Sequence, residues 1–117
     1  MQIVIHALDF SLTAALRNHC ERRCRYALTA YREHVQRVVV RLSSGSRTEK
    51  CCQVQVVIGG LADVVVEDIE NNLYAAIGRA STRAGRTVRR RLARRRDRAR
   101  LCGLHDSASI DERPATI

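Results

Sequence analysis

The sequence predicts an α+β fold, a β-α-β-β-β-α sandwich in which two helices cover one face of a four-stranded sheet. Three observations carry that prediction. Two segments repeat apolar residues at spacings of three and four, as helices do, while four others alternate them, as strands do. A Gly-Gly pair separates two of the alternating segments, the signature of a hairpin. The 117 residues are 45% hydrophobic but only 3% aromatic, enough for one aliphatic core and no second domain.

The first strand is Gln2–His6, with Ile3 and Ile5 on one face and Gln2, Val4 and His6 on the other. Ser11 and Thr13 both offer a hydroxyl to the free amides of a first helical turn, and Thr13 is the favoured cap. Leu16, Cys20, Cys24, Ala27, Leu28 and Tyr31 then form one apolar seam over about five turns, leaving Arg17, Arg22 and Arg25 off it. Val35–Leu42 is β-branched and alternates, Val38, Val40 and Leu42 against Arg37, Val39 and Arg41. A polar loop from Ser43 to Lys50 ends it. Cys51–Ile58 is the third strand, Gly59-Gly60 supplies the positive backbone angles of a tight turn, and Leu61–Glu67 returns as the fourth. A helix between the first two strands allows them to pair in parallel, and the remaining pairs are antiparallel. Arg37, Arg41, Gln53 and Gln55 then face solvent.

The last helix begins near Asn71 or Asn72. Leu73, Ile77, Ala80, Ala84 and Val88 form its packing stripe, and Arg79, Arg83, Arg86, Arg90 and Arg94 form a second stripe about 120° away. Positions 91 and 95 should continue the apolar stripe but are arginine, so the helix is expected to leave the core at about residue 91. Gly78 and Gly85 inside it each cost about 1 kcal/mol against Ala, which makes this helix dependent on packing. The domain is expected to span residues 1–100, with 101–117, small, polar and aperiodic, a disordered tail.

The net charge is +9, and nearly all of it lies between Arg79 and Arg100, where eleven arginines face one acid, Asp97. Such a field attracts polyanions and speeds their association, without conferring specificity. The excess of arginine over Lys50, the single lysine, reads as codon bias in a GC-rich genome as readily as a need for guanidinium chemistry. With three tyrosines, one phenylalanine and no tryptophan, gripping single strands by stacking several bases is poorly supported.

No apolar run approaches the roughly 18 to 20 residues of a membrane span, and the N-terminus reads as a strand rather than a signal peptide. The five cysteines are odd in number and suit reduced thiols, so a cytoplasmic protein is expected. A zinc site drawn from Cys20, Cys24 and Cys51-Cys52 is disfavoured, because adjacent strand residues point to opposite faces and the helix cysteines sit on the packing seam. Cys102 and His105 have a ligand-like spacing but fall in the expected tail. His6, His19 and His34 lack any nucleophile or carboxylate arrangement. No enzyme, cofactor or metal is expected.

Met1-Gln2-Ile3-Val4-Ile5, Leu12-Thr13-Ala14-Ala15-Leu16-Arg17, Val38-Val39-Val40-Arg41-Leu42 and Asn72-Leu73-Tyr74-Ala75-Ala76-Ile77 together resemble the bacterial ribosome hibernation promoting factors. That family includes the ribosome-associated inhibitor A proteins and was once labelled sigma-54 modulation proteins. The likeness covers roughly residues 1 to 95. The family's Asp-Leu-Tyr-Ala-Ala-Ile-Asp helix start has Asn72 and Gly78 in place of its aspartates, and its Thr-Gly after the first strand is His6-Ala7.

The resemblance implies a double-stranded-RNA-binding-domain-like fold and a non-enzymatic role. It implies binding to the small (30S) ribosomal subunit and its 16S rRNA, in the channel used by mRNA and tRNA, which silences translation in stationary phase or stress. Basic positions of the family's second helix match Arg83, Arg86 and Arg90, and those of its first helix match Arg17, Arg23 and Arg25. The expected rRNA-contacting set is therefore Arg79, Arg83, Arg86, Arg89, Arg90 and Arg94 with Arg17, Arg23 and Arg25. Lacking the long form's dimerisation domain, the chain resembles the short form and is expected to be a monomer off the ribosome. For Arg91 to Arg100, a solvated or unstructured segment and a second contact region stand as alternatives. A generic RNA- or DNA-binding module is the competing function, and a membrane-surface role is disfavoured because the arginine helix has no bulky apolar face.

Overall fold

The computed structural model describes residues 1–45 and 48–108. The strands are β1 (Gln2–Ala7), β2 (Val35–Ser43), β3 (Lys50–Ile58) and β4 (Val64–Glu70), and the helices are α1 (Ala14–Leu28) and α2 (Leu73–Ala108), with a 3-10 turn, Thr29–Tyr31, closing α1. Sheet order is β1-β2-β3-β4, with β1 parallel to β2 and the other pairs antiparallel, as the order of patterns predicts. Both helices lie on one face.

Local chemistry explains the boundaries. Thr13 caps α1, its hydroxyl accepting from the Leu16 amide at 3.1 Å. Asn72 caps α2, its Oδ1 accepting from the amides of Tyr74 at 2.7 Å and Ala75 at 3.2 Å. The side-chain carbonyl thus satisfies two of the free amides of the first turn. A bulge between Val35 and Arg37 resets the pleat, so Val35 and Val38 both reach the core. Asp9 ties the β1–α1 connection to the end of β2, accepting from the Ser44 and Gly45 amides and the Ser43 and Ser44 hydroxyls. Those bonds, the Ser44 amide first, hold its carboxyl below the usual carboxylate range.

Two sequence expectations need correction. β4 occupies Val64–Glu70 rather than Leu61–Glu67, because the connection is wider than a two-residue turn. Of Gly59 and Gly60, the second alone has a positive φ, +79°, and Leu61 N–H donates to the Ile58 carbonyl at 3.3 Å. This places glycine at the third position of a turn that demands it there. The second correction concerns α2, which continues to Ala108, past the boundary expected at residue 100, since extending a formed helix costs far less than starting one. Residues 109–117 lie outside the described residues.

The core is aliphatic. Val38, Val40, Leu42, Cys52, Val54, Val56 and Val64 from the sheet meet Leu16, Cys20, Cys24, Leu28, Ile77, Ala80, Ala84 and Val88 from the helices. Ser81 is the buried polar residue among the described residues, and it is paired with the Cys24 thiol at 3.7 Å. On the outer sheet face Val39 is also buried, flanked in register by Val4 and Gln55. Beside it Arg41 donates to Gln53 and Gln55, so these three are tied together rather than free in solvent.

The two glycines of α2 have different reasons. A Cβ on Gly85 would stand 2.7 Å from the Ala27 carbonyl oxygen of α1, so glycine there permits close helix contact. A Cβ on Gly78 would meet only the Arg23 guanidinium, at an ordinary 3.6 Å. Gly78→Ala is therefore expected to stabilise the protein by up to about 1 kcal/mol. Gly85→Ala should destabilise it despite the same propensity gain, by about 1–3 kcal/mol as in overpacked cores. Urea unfolding of the two variants checks this, and a shift of the same sign in both would contradict it.

Candidate nucleic-acid interface

The arginines of α2 divide by what surrounds them. Arg79 pairs with Glu70 at 3.0 Å and lies 3.8 Å from Asp68, while Arg83 pairs with Asp68 at 2.9 Å and donates to the Glu67 carbonyl at 2.7 Å. These two lean over β4 and are partly neutralised. Such exposed pairs contribute at most about 1 kcal/mol each, but they orient the guanidinium groups. Arg91 donates to the Ala62 and Asp63 carbonyls, and Arg95 donates to the Gly59 carbonyl at 2.9 Å and approaches His34 Nδ1 at 3.4 Å. Both therefore clasp the β3–β4 connection.

The expectation that α2 leaves the core at about residue 91 is corrected by this arrangement. Arginine stems and Leu92 continue the packing where the apolar stripe ends. Residues 96–99 are exposed, so the departure falls after Arg95.

Arg86, Arg89, Arg90 and Arg94 are exposed on the face away from the sheet. Arg86 and Arg89 make no hydrogen bond or ion pair among the described residues, and Arg90 reaches only the Thr87 hydroxyl, at 3.3 Å. Beside them, two contiguous hollows of about 520 and 630 Å³ run along the α1–α2 junction, with Arg23, Thr82 and Arg86 lining both. Gly85 lets the two helices approach closely, and arginines make the junction basic.

The first-helix arginines do not act as one group. Arg23 lies in the junction, donating through Nη2 to the Gly78 carbonyl and the Thr82 hydroxyl, both at 3.4 Å, with Nε buried and unpartnered. It joins the two helices. By the shorter way round α1, Arg25 stands about 160° and Arg17 about 120° from Arg23, so neither exposed side chain shares the flank that Arg23 turns to α2. The junction thus gathers Arg23, Arg79, Arg83, Arg86 and Arg89, and leaves Arg17 and Arg25 outside.

Sequence reasoning missed the hairpin clasp, because an arginine in an apolar register reads as a break. It also missed Tyr26 and Tyr31, which line the first hollow. The signal for Tyr26 was present: it is off the apolar seam, four residues after Arg22 and three after Arg23.

His19 sits at the other end of the junction, its ring edge-on to Tyr74 at 4.7 Å with Nε2 buried and unpartnered. Burial, with smaller contributions from Arg22 and Arg23, holds its pKa below the ordinary 6.5, against a hydrogen bond with the Tyr74 backbone that raises it. The Cys51 and Cys52 thiols are poorly ionised. Burial, then Glu67, which accepts from Cys51 at 3.2 Å, pushes Cys51 up to about 11, and burial pushes Cys52 up further. Cys52 points into the core and Cys51 to the outer face, so the pair does not converge.

The family described as Sigma 54 modulation protein / S30EA ribosomal protein matches residues 3–96. The chain belongs to this family. Among solved structures, a ribosomal subunit interface protein from Coxiella burnetii superposes with a TM-score of 0.71 at 13% identity, covering 80% of this chain and 99% of that one. The N-terminal domain of Protein Y from Thermus thermophilus superposes with a TM-score of 0.67 at 27% identity, covering 77% of this chain and 98% of that one. No curated protein matches at a significant level. The family's description names a ribosomal protein, and the two solved structures share the fold of this chain. Among the described residues no helix is long and apolar enough to cross a membrane.

The His19 environment makes a pH prediction. With its folded pKa below 6.5, the unfolded chain binds the proton first as pH falls, so native stability drops through and below that value. Denaturant midpoints from pH 7.5 to 5.5 are expected to fall more steeply for the natural chain than for His19→Gln. Equal slopes would contradict the assignment.

Proposed function

We propose that the protein is a non-enzymatic, cytoplasmic translation inhibitor. In this reading it binds the small ribosomal subunit through 16S rRNA, in the mRNA and tRNA channel, and promotes hibernation in stationary phase or stress. It is a monomer off the ribosome. The observation that carries the reading is the row of exposed guanidinium groups at Arg86, Arg89 and Arg90, flanking a basic junction in a member of a ribosome-associated family.

The physical case is direct. Guanidinium groups three and four residues apart on a packed helix meet successive phosphates, and bidentate pairing with phosphate favours arginine. Folded RNA is recognised largely by backbone shape, which needs rigid charge rather than a code of base contacts. Arg79 and Arg83 join the same face, although each exchanges an existing carboxylate partner to do so. Arg94 extends the row, and Arg17, Arg23 and Arg25 act as flanking or supporting charges.

Co-sedimentation with purified small subunits in sucrose gradients tests the partner. Co-migration at low salt is expected, and recovery only in the free fraction would favour a generic nucleic-acid-binding module instead. If about six phosphates are neutralised, affinity falls on the order of a thousandfold between 50 and 200 mM salt. A nearly flat salt response would contradict electrostatic docking. Reversing Arg86, Arg89 and Arg90 to Glu should abolish binding without lowering the unfolding midpoint, whereas reversing Arg96 and Arg98 should only weaken it. The opposite ranking would move the interface beyond the packed part of α2.

A further inference from the structure

The hollow at the C-terminal end of α1 is chemically different from a phosphate-binding stripe. Its floor is small, Ala27 and Gly85, because glycine at 85 lets α2 approach the α1 backbone. One wall carries Tyr26 and Tyr31, and the other carries Arg86 and Arg89. Tyr31 is anchored against the core, whereas Tyr26 is 82% exposed, the most exposed large hydrophobic side chain among the described residues. This open aromatic ring lines the same hollow as Arg86 and Arg89, which have no partner among the described residues.

We infer that this cleft seats one unstacked nucleotide of the RNA partner, its base against the Tyr26 ring and its phosphate on Arg86 and Arg89. The inference rests on the RNA-binding reading above and deepens it by assigning a preference for RNA with an extruded base. Its support is complementarity of shape and charge. A hollow of about 520 Å³ falls within the usual range of small-ligand sites, about 300–1,000 Å³. A base offers an apolar face and a phosphate offers charge, and the two walls present the matching halves. Arg23, fixed by Gly78 and Thr82, adds positive charge along the floor without being free to fold over the cleft. Duplex RNA keeps its bases stacked inside, so the cleft engages only a bulge, loop or strand end. A single ring suffices for one base, whereas tracking a long single strand needs several.

The test uses the full chain and three RNAs: a short duplex, the same duplex with one bulged adenosine, and the same duplex with an abasic bulge. The natural chain is expected to bind the adenosine bulge about tenfold more tightly than either other RNA, the size of one base–aromatic contact. Tyr26→Ala should bind all three with the natural chain's affinity for duplex. Tyr26→Phe should keep the preference, because the ring rather than the hydroxyl does the stacking. Equal binding of adenosine and abasic bulges by the natural chain, or an undiminished preference in Tyr26→Ala, would overturn the nucleotide cleft while leaving RNA binding intact. Absence of binding to all three RNAs would overturn the RNA reading and the cleft together.

Discussion

The close contact between α1 and α2 is the constraint on which the rest depends. At Gly85 the two backbones leave no room for a side chain, since a Cβ would meet the Ala27 carbonyl at 2.7 Å. That proximity lets Arg23 reach across to Gly78 and Thr82, lets Ser81 pair with Cys24, and packs Ala80, Ala84 and Val88 onto the sheet. It also fixes the rotation of α2. Once Ile77, Ala84 and Val88 face inward, every arginine on the helix has an assigned direction.

Those directions sort the charge. Arginines turned toward β4 find Asp68 and Glu70, and those over the end of the sheet find backbone carbonyls of the β3–β4 connection. Both groups hold α2 in place. Carbonyl partners satisfy a guanidinium without cancelling its charge, so Arg91 and Arg95 still contribute to the positive field. The arginines turned away from the sheet have no such partner among the described residues, so their side chains remain able to move onto a ligand. One run of like residues therefore performs two tasks, separated only by helical phase.

Much of this was legible in the sequence. The period of apolar residues gave α1 and α2 their faces, the Thr13 cap and the Asn72 start followed from hydrogen-bonding capacity, and alternation through Val38, Val40 and Leu42 identified the inward face of β2. The misplaced β4 and the tail boundary came from local ambiguity. Gly59-Gly60 reads as a two-residue turn, yet only Gly60 needs the glycine conformation, and Leu61–Asp63 belong to the connection. The sorting of arginines was not legible, because it depends on which strands lie beside α2. Asp68 and Glu70 are nearby in space to Arg79 and Arg83, but only topology shows that the carbonyls of Gly59 and Ala62 lie beneath Arg95 and Arg91. Tyr26 was passed over because tyrosines were counted for the chain as a whole, not located on a face.

Sorting by helical phase is most directly tested by side-chain NMR of the arginine Nε–Hε groups while small-subunit rRNA fragments are added at low salt. The account predicts that the signals of Arg86, Arg89 and Arg90 shift at the lowest RNA ratios while those of Arg91 and Arg95 keep their free-state positions. Equal and simultaneous shifts of Arg91 and Arg95 would mean that the β3–β4 clasp opens on binding, and would contradict it.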